Sequence, residues 1–464
     1  MIATSLKQIA SDIDMSCTDA MANICVRGVC TDSRRVAPGD LFVAIEGEHF
    51  DGHDFVEQAL ASGAAACLVD ERFKGSAGPT LKVADPVNAL GRMAAAHRRR
   101  TSATVIAVTG SNGKTTTKGM IDQVLGRFLR GRAAAKSFNN HLGVPLTLLS
   151  AEKDDDYLVV EIGSSNPGEV AKLGQMSRPD IAVITSIGWA HLEGLGDLDG
   201  VVQEKTSLLK HVAPGGWALV NTNEPRMRAW LKRWPGDVAL TTFGFGADAD
   251  LRVRVVEADA GGMRFCVGDG PVLRIPLPGR HNASNAAATL AVCSHLGLAE
   301  DEVAAGLANI EPPDMRLNVS EHGSYRVIND SYNANPSSMA AAIEVLGGAV
   351  ERPRILVAGD MLELGEQAGK LHRHIGEQAA RQGIEVIVGV GAHAEQITEG
   401  VKAMRAAGRR LVFRDAGEAA AHAAEWLEPG AVVLVKGSRS MGMERVARAV
   451  AEAARCDEKM GASV

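Results

Sequence analysis

A short apolar run, a glycine-rich loop and a helical pattern follow one another directly in the first third of the chain. The run covers residues 105–108, and the helical pattern covers residues 118–128. The loop between them contains Gly110, Ser111, Asn112, Gly113, Lys114, Thr115 and Thr116. A buried strand that ends in such a loop is typical of parallel sheets covered by helices, because the loop places backbone N–H groups at a helix N-terminus. This feature predicts the α/β class.

The chain is too long for one hydrophobic core. It has 464 residues, and domains usually contain about 100–200, so two to four are expected. Alternating strand and helix patterns predict a small α/β domain over 1–100, a central parallel-sheet domain over 101–312 and a doubly wound domain over 313–464. Alternating apolar residues and glycine turns over 250–275 predict a small antiparallel patch on the central sheet.

Composition and charge exclude several classes of function. The net charge is −7 and no long basic run occurs, which argues against a nucleic-acid partner. The seven cysteines form no CxxC pair, which favours reduced thiols in the cytosol. No stretch reaches the roughly 18–20 apolar residues of a membrane span, and the N-terminus lacks a signal-peptide pattern. We expect a cytoplasmic protein without a membrane span, and we expect a monomer.

The glycine-rich loop has a shortened phosphate-loop pattern, G-x-x-G-K-T. Lys114 would reach the β- and γ-phosphates of a nucleoside triphosphate, and the Thr115 hydroxyl would ligate Mg²⁺. Val108 stands where the longer pattern has its first glycine. A glycine turn that precedes a lysine by chance is the alternative. A kinase, a GTPase, an ATPase and a ligase would all fit such a loop.

Two further polar residues follow predicted strands and are expected beside the loop. Glu161 and His191 each come at or after a strand end, where α/β sheets place their ligands, and Mg²⁺ prefers oxygen donors. A solvated edge glutamate and a structural histidine are the alternatives. Lys205 lies in a helix predicted over 201–209. Local chemistry does not distinguish it from Lys210, so a surface lysine is its ordinary interpretation.

Longer segments resemble the Mur ligases of bacterial cell-wall synthesis over nearly the whole chain. Residues 109–116 are similar to the family's ATP loop, whose short form explains Val108. The other similar segments are 186–194 (N-I-G-x-A-H-L-E-G, with Ser186 in place of Asn), 279–285 (G-x-H-N-x-x-N) and 436–439. Residues 140–145, 330–336 and 359–365 resemble the family members that add D-alanyl-D-alanine.

The resemblance implies an ATP-dependent amide ligase. Such an enzyme would join D-alanyl-D-alanine to UDP-N-acetylmuramoyl-tripeptide through an acyl phosphate and release ADP and phosphate. Residues 1–100 would bind the UDP-sugar, residues 101–312 ATP, and a Rossmann-like domain over 313–464 the dipeptide. The alternatives are another Mur ligase, a folylpolyglutamate synthase, a kinase or regulatory NTPase, and a binding module without catalysis. The segment 330–336 favours the D-alanyl-D-alanine ligase over these alternatives.

The same resemblance implies roles for individual residues. The predicted catalytic residues are Lys114, Lys205, His191 and Glu161, and Lys205 would be carbamylated. Two Mg²⁺ ions would be held by Thr115, Glu161, His191 and Lys205. The loop residues 110–116 would bind ATP together with Asn282, Arg316 and Asp330. The predicted substrate-binding residues are Asp32, Ser33 and Arg34 near the UDP moiety, and Asn139, Asn140, Asn333 and Asn335.

Two positions depart from the family pattern. Met315 stands where a glycine is common before Arg316, and Asn329 stands where an aspartate is common before Asp330. Both charged residues are present, so their predicted roles are kept. A surface arginine is the alternative interpretation of Arg316.

Overall fold

A computed structural model of the chain describes residues 1–75, 78–259 and 261–461, with side chains through residue 453. The first hundred residues, the N-terminal unit, form a four-stranded parallel sheet in the order β3-β4-β5-β6 and an antiparallel pair β1-β2. The elements are β1 (Thr4–Ser5), α1 (Leu6–Asp12), α2 (Asp19–Ala22), β2 (Cys25–Val26), β3 (Gly28–Cys30), β4 (Asp40–Val43), α3 (Val56–Ala61), β5 (Ala66–Asp70), β6 (Thr80–Val83) and α4 (Pro86–Arg100).

Residues 104–307, the central unit, contain a nine-stranded sheet. The elements are β7 (Thr104–Thr109), α5 (Lys114–Leu125), β8 (Gly131–Ala133), α6 (Gly143–Ser150), β9 (Tyr157–Glu161), α7 (Glu169–Ser177), β10 (Ile181–Ile184), α8 (Leu192–Leu195), α9 (Leu198–Thr206), β11 (Trp217–Asn221), α10 (Pro225–Leu231), β12 (Ala239–Gly244), β13 (Leu251–Asp259), β14 (Gly262–Val267), β15 (Leu273–Ile275), α11 (Arg280–His295) and α12 (Glu300–Leu307). The strand order is β15-β14-β13-β12-β11-β10-β7-β9-β8.

The position of β7 explains where a ligand can bind. β7 pairs in parallel with β10 on one side and with β9 on the other. The carboxyl ends of these three strands therefore meet at one edge, directly beside the glycine-rich loop. Strands β13 to β15 pair antiparallel, as predicted for residues 250–275.

Residues 318–461, the C-terminal unit, contain a six-stranded sheet in the order β16-β17-β21-β18-β19-β20. The elements are β16 (Asn318–His322), β17 (Tyr325–Asp330), α13 (Pro336–Gly347), β18 (Arg354–Gly359), α14 (Ala368–Arg381), β19 (Val386–Val390), α15 (Ala394–Ala403), β20 (Arg409–Phe413), α16 (Ala416–Ala421), α17 (Ala423–Trp426), β21 (Val432–Lys436) and α18 (Glu444–Gly461). Short 3-10 helices lie at Ser33–Arg35, Gly52–Phe55, Ser207–His211, Gly365–Gln367 and Arg439–Met441.

The predicted α/β class, with mainly parallel sheets and a small antiparallel patch, is confirmed. Two details differ from the sequence prediction. The helix after the loop begins at Lys114 rather than at residue 118, because Gly113 adopts a left-handed turn immediately before it. The antiparallel edge strand β16 was not predicted, because no residue of β16 is buried and its sequence has no apolar alternation.

The apolar cores join the units to one another. Leu41 and Leu68 of the N-terminal sheet belong to the same buried cluster as Val105 and Leu158 of the central sheet. Leu192, just after His191, packs in the core of the C-terminal unit. Burial of apolar surface stabilises both arrangements. Among the described residues, no helix is both long enough and apolar enough to cross a membrane.

Candidate active site

The loop after β7 needs glycine at two positions. Gly110 has φ +143°, and a Cβ there would lie 2.2 Å from the hydroxyl of Thr185. Gly113 has φ +84°, and a Cβ there would lie 2.5 Å from the amide oxygen of Asn285. Since L-residues rarely adopt such φ values, any side chain at either position would strain the loop. The loop therefore packs closely against Thr185 and Asn285.

Val108 is fully buried inside β7, opposite Val183 of β10 and Glu161 of β9. The position at which the longer phosphate-loop pattern has a glycine is thus an ordinary core position of the strand. The loop is shorter in this chain because β7 continues through the position of Val108.

Lys114 and Thr115 are the first two residues of α5. Nζ of Lys114 donates a 2.7 Å hydrogen bond to the carbonyl of Gly110, which folds the side chain back along the loop. Burial lowers the pKa of Lys114, while the carboxylate of Glu161 opposes that shift. The lysine therefore faces the same space as the loop's N–H groups.

Glu161 is buried, with 1% of its surface exposed, so its interpretation as a solvated edge residue is wrong. Its Oε1 accepts hydrogen bonds from the Thr115 hydroxyl at 3.1 Å and from the Asn139 amide at 2.9 Å. Its Oε2 lies 3.3 Å from Nζ of Lys118 but makes no hydrogen bond of good geometry among the described residues. A buried carboxylate oxygen without a hydrogen bond favours a further electropositive partner.

Lys118 is a residue that the sequence analysis did not single out. It is buried, and its Nζ donates to the carbonyls of Ala134 and Lys136 as well as approaching Glu161. Its position four residues after Lys114 places both lysines on one face of α5, and this spacing was the available signal. Lys118 fixes the segment before Asn139 to the helix of the loop.

Lys205 has none of its surface exposed, so its interpretation as a surface lysine is wrong. Nζ donates a 2.7 Å hydrogen bond to the Ser164 hydroxyl, just after β9. Burial, reinforced by the charge of Lys114, lowers the pKa of Lys205 to about 7. A fully buried lysine with a hydroxyl as its partner is an unusual arrangement, because buried ammonium groups are normally paired with a carboxylate.

His191 precedes α8 in the left-handed conformation, with φ +55°. Its Nδ1 lies 3.3 Å from the Ser165 hydroxyl and contacts the carboxylate of Glu363 from the C-terminal unit. In the described part of the chain, Nε2 has no hydrogen-bond partner. One ring nitrogen of His191 is thus held by the protein while the other is free.

The C-terminal unit reaches the loop through Arg316. Its guanidinium donates a 2.9 Å hydrogen bond to the Thr115 hydroxyl and lies 4.1 Å from the ring centre of Tyr332. The surface-arginine interpretation is therefore wrong. Met315 and Leu317 on either side have φ of +56° and +52°. The left-handed conformation at Met315 explains why a glycine is suited to that position, since glycine adopts it without strain.

Asp330 and Lys436 lie opposite each other at the carboxyl ends of β17 and β21. Nζ of Lys436 donates to Asp330 at 2.6 Å and to the carbonyl of Asn333 at 2.9 Å. The other oxygen of Asp330 accepts from the backbone N–H of Leu317. The pair orients the segment that follows β17 towards the cavity.

Asn282 lies in the first turn of α11 and is buried. Its amide donates to the carbonyl of Pro278 at 2.8 Å and accepts from Asn285 at 3.1 Å. Asn285 in turn touches the loop at Gly113. Asn285 was present in the segment 279–285 but had no assigned role, and its spacing of three residues from Asn282 was the signal for a shared face.

Two asparagines join the loop to the C-terminal unit. The side chains of Asn112 and Asn335 exchange hydrogen bonds of 3.4 and 2.8 Å. Asn335 also caps α13 by accepting from the N–H of Ser338. Close by, the Ser337 hydroxyl accepts from the N–H of Trp189 at 3.2 Å. The two units are therefore in direct contact across the loop.

One large cavity of about 1630 Å³ lies between the central and C-terminal units. The predicted site residues that line it are Ser111, Asn112, Gly113, Lys114, Thr115, Thr116, Asn139, Asn140, Glu161, His191, Asn282, Arg316, Asp330, Asn333 and Asn335. Gly110, the first residue of the loop, does not line the cavity, and Lys205 lies behind Ser164, whose side chain lines the wall. The cavity is large enough for more than one substrate.

Asp32, Ser33 and Arg34 do not line this cavity. They follow β3 in the N-terminal unit, where Arg34 donates to both oxygens of Asp32. This pairing lowers the pKa of Asp32 to about 2. Both side chains lie at the carboxyl edge of the N-terminal sheet, where a second ligand-binding region is expected for an α/β unit.

No group of three or more His, Cys, Asp or Glu side chains among the described residues could hold a metal ion by itself. Glu161 and Thr115 nevertheless present a buried carboxylate and a hydroxyl side by side. Mg²⁺ is usually bound by one or two carboxylates and by substrate phosphates. The residues present therefore fit a magnesium ion that arrives with a nucleotide.

A phosphate loop faced by a second α/β unit across one cavity defines a multidomain phosphate-loop protein. Three family models match the chain: "Mur ligase family, catalytic domain" over 26–98, "Mur ligase middle domain" over 108–293 and "Mur ligase, glutamate ligase domain" over 315–439. The UDP-N-acetylmuramoyl-tripeptide--D-alanyl-D-alanine ligase of Escherichia coli is 36% identical over 98% of this chain and 100% of its own. The chain belongs to the Mur ligase family.

Solved structures agree with this membership. MurF from Acinetobacter baumannii has a TM-score of 0.85 at 30% identity, covering 97% of this chain and 99% of its own. MurF ligase from Thermotoga maritima, solved in complex with ADP, has a TM-score of 0.80 at 28% identity and covers 93% and 99%. The likeness extends over all three units.

Proposed function

We propose that this chain is an ATP-dependent ligase that joins D-alanyl-D-alanine to UDP-N-acetylmuramoyl-tripeptide in peptidoglycan precursor synthesis. Its full-length relatives carry this activity in their names. The observation that supports the proposal most strongly is the single cavity in which the phosphate loop faces Arg316 and Asn335 of the C-terminal unit. A ligase must bring a nucleotide and two further substrates into one such space.

ATP would be bound by the loop over residues 110–116. Its N–H groups at the N-terminus of α5 would face the phosphates, and Lys114 would leave the Gly110 carbonyl to hold the transferred phosphate. Asn282, Arg316 and Asp330 would contact the remainder of the nucleotide. Their positions on the cavity wall support this assignment.

Mg²⁺ would neutralise phosphate charge during transfer. Thr115 and Glu161 would hold one ion. The Oε2 atom of Glu161 supports this, because it makes no hydrogen bond among the described residues and has only the Lys118 ammonium nearby. His191, through its free Nε2, and Lys205 would serve a second ion. Asn139 would orient Glu161 through the hydrogen bond to Oε1.

Lys205 would act as a carbamate. Only a neutral amine reacts with carbon dioxide, and burial lowers the pKa of Lys205 to about 7, so a large neutral fraction exists near neutral pH. A carbamate would convert a buried cation into an anion able to ligate Mg²⁺. The Ser164 hydroxyl, which now accepts from Nζ, would then be available to donate to the carbamate.

The remaining substrates would be bound on either side of the loop. Residues 1–100 would bind the UDP moiety near Asp32, Ser33 and Arg34, and residues 101–312 would bind ATP. Residues 313–464 would bind the dipeptide near Asn333 and Asn335. Asn139 and Asn140 would face the tripeptide. We also propose a cytoplasmic enzyme that works as a monomer.

The reaction begins with transfer of the γ-phosphoryl group to the carboxylate of the tripeptide. This step requires positioning and charge neutralisation, which the loop and Lys114 supply. The amine of D-alanyl-D-alanine then attacks the acyl carbon, the amide bond forms, and phosphate leaves. The contacts of Arg316 and Asn335 with the loop would keep water from the acyl phosphate.

Release of ADP tests this proposal. ADP should form only when ATP, UDP-N-acetylmuramoyl-tripeptide and D-alanyl-D-alanine are all present. ADP formation at an unchanged rate without the dipeptide would contradict a ligase, and replacement of the dipeptide by glutamate separates this activity from folylpolyglutamate synthesis. Tripeptides that end in meso-diaminopimelate and in lysine should be assayed in parallel to identify the third residue.

A further inference from the structure

Glu363 belongs to the C-terminal unit but contacts the central unit twice. Its carboxylate contacts Nδ1 of His191, and its backbone carbonyl accepts from the N–H of Glu193 at 3.1 Å. The side chain faces the cavity, and 51% of it is exposed. The segment 359–365 was noticed in the sequence, but Glu363 received no role there.

The segment that carries Glu363 is held in place from behind. Glu363 itself has φ +59°, an uncommon conformation for a residue with a side chain. The carboxylate of Asp360 accepts from the N–H of His393 at 3.0 Å. Nε2 of the buried His372 accepts from the N–H of Met361 at 2.9 Å. A strained residue persists only where its surroundings determine it, so the position of Glu363 is a built feature.

A carboxylate at Nδ1 determines which nitrogen of a neutral histidine carries the proton. A carboxylate only accepts hydrogen bonds, so Nδ1 must donate and Nε2 keeps its lone pair for a metal ion. The Ser165 hydroxyl, 3.3 Å from Nδ1, can either donate or accept and therefore does not select a tautomer. The contact with the Glu363 carboxylate therefore selects the tautomer of His191.

We propose that Glu363 is a positioning residue that prepares His191 to ligate Mg²⁺ when the C-terminal unit closes on the loop. The inference rests on the proposed function and adds a coupling to it. His191 belongs to the central unit and Glu363 to the C-terminal unit, so the metal site is completed only when the two units meet. Metal binding and closure then favour each other.

The tautomer of His191 tests the first half of this inference without any ligand. Long-range ¹H–¹⁵N spectra of the histidine-labelled full-length protein report which ring nitrogen is protonated, and His191→Gln identifies the signals. We expect the Nδ1–H form in the wild type and the appearance of the Nε2–H form in Glu363→Ala. An unchanged His191 tautomer in Glu363→Ala would overturn the inference.

Binding of Mn²⁺, followed by its electron paramagnetic resonance in the presence of ADP, tests the second half. Glu363→Ala should weaken Mn²⁺ binding about 10- to 100-fold. Glu363→Gln keeps an acceptor oxygen, so its affinity for Mn²⁺ should lie between those of the wild type and Glu363→Ala. Glu366→Gln is the matched control, because Glu366 is an exposed neighbour for which the described structure shows no side-chain partner.

Separation of the two effects distinguishes this inference from the proposed function. If Mn²⁺ binding is unchanged in Glu363→Ala while ADP formation is lost, Glu363 acts on the dipeptide amine instead and the inference fails. If the wild type forms no ADP with any substrate pair but its tautomer depends on Glu363, the proposed function fails and the positioning role stands.

A Gly188→Ala variant adds a further check, since a Cβ there would lie 2.6 Å from the Ser337 hydroxyl and oppose closure. We expect it to weaken Mn²⁺ binding as Glu363→Ala does, and unaltered binding would remove the coupling to closure.

Discussion

The guanidinium of Arg316 donates a 2.9 Å hydrogen bond to the hydroxyl of Thr115, which itself bonds to Glu161 at 3.1 Å. One hydroxyl thus connects the C-terminal unit, the phosphate loop and the carboxylate proposed to hold Mg²⁺. Loss of the Arg316 side chain would act on all three, because it removes a cation from a site that must neutralise phosphate charge.

Replacement of Arg316 by alanine should lower kcat/KM for ATP about 10- to 100-fold, the loss expected for one hydrogen bond that involves a charged group. Arg316→Lys should recover only part of the activity, because an ammonium lacks the planar fork of the guanidinium. Steady-state kinetics with varied ATP provide the measurement. Arg274→Ala, at an exposed position in β15, should behave as the wild type. Equal activity of Arg316→Ala and the control would exclude Arg316 from the site.

Replacement of Lys205 by alanine should reduce activity about 10²- to 10³-fold, as removal of one group that stabilises charge usually does. Formate or acetate should partly restore activity, because a small carboxylate can occupy the space of a carbamate. Lys210→Ala, an exposed lysine near the same helix, is the control and should keep full activity without added acid. Full activity of Lys205→Ala, or a complete lack of rescue in a folded variant, would contradict the carbamate.

The Asn335 side chain has two functions that Asn335→Asp separates. Aspartate keeps the cap of α13 but cannot donate to Asn112, so the free energy of unfolding should change by less than about 0.5 kcal/mol while KM for ATP rises. Asn335→Ala should lose both, with about 1 kcal/mol of stability. A double-mutant cycle with Asn112→Ala should show a coupling of roughly 0.5–3 kcal/mol in kcat/KM. Additive effects would mean that the pair does not join the units during the reaction.

The stability of the protein should depend on pH through His281. Burial lowers the pKa of His281 to about 4, and its Nδ1 has no hydrogen-bond partner among the described residues. Between pH 4 and the ordinary histidine value of 6.5, the unfolded chain binds a proton that the native protein does not, so native stability falls as the pH is lowered. As the pH is lowered over this range, the free energy of unfolding of the wild type should fall by up to about 3 kcal/mol more than that of His281→Gln.

Urea unfolding at pH 6.5, 5 and 4 measures this difference. His49→Gln, at an exposed position for which the described structure shows no side-chain partner, should follow the wild type. Parallel curves for the wild type and His281→Gln would show that His281 does not titrate in this way.

Much of the fold was accessible from sequence patterns because they are local. Short apolar runs such as residues 105–108 predicted the buried parallel strands, and glycine turns predicted the antiparallel patch at β13 to β15. The edge strand β16 was missed because its side chains are not buried, so burial left no pattern in its sequence. The start of α5 was misplaced because the φ of Gly113, and not hydrophobic spacing, determines it.

The candidate site was predictable only in part. Lys114 and Thr115 have a local motif, whereas Glu161 and Lys205 were ambiguous because their burial depends on the packing of separate elements. Lys118 and Glu363 received no role, since the partners that give them one lie 43 and 172 residues away along the chain.

The phosphate loop, the α/β class and the likeness to the Mur ligases were determined by the sequence itself, because each depends on residues close together along the chain. The tertiary structure alone decided that Arg316 meets Thr115 across 201 residues and that Glu363 meets His191 across 172. Such contacts exist only after the strands of two sheets have set their registers and the two units have packed, since the energy that selects them comes from burial and hydrogen bonding between distant segments.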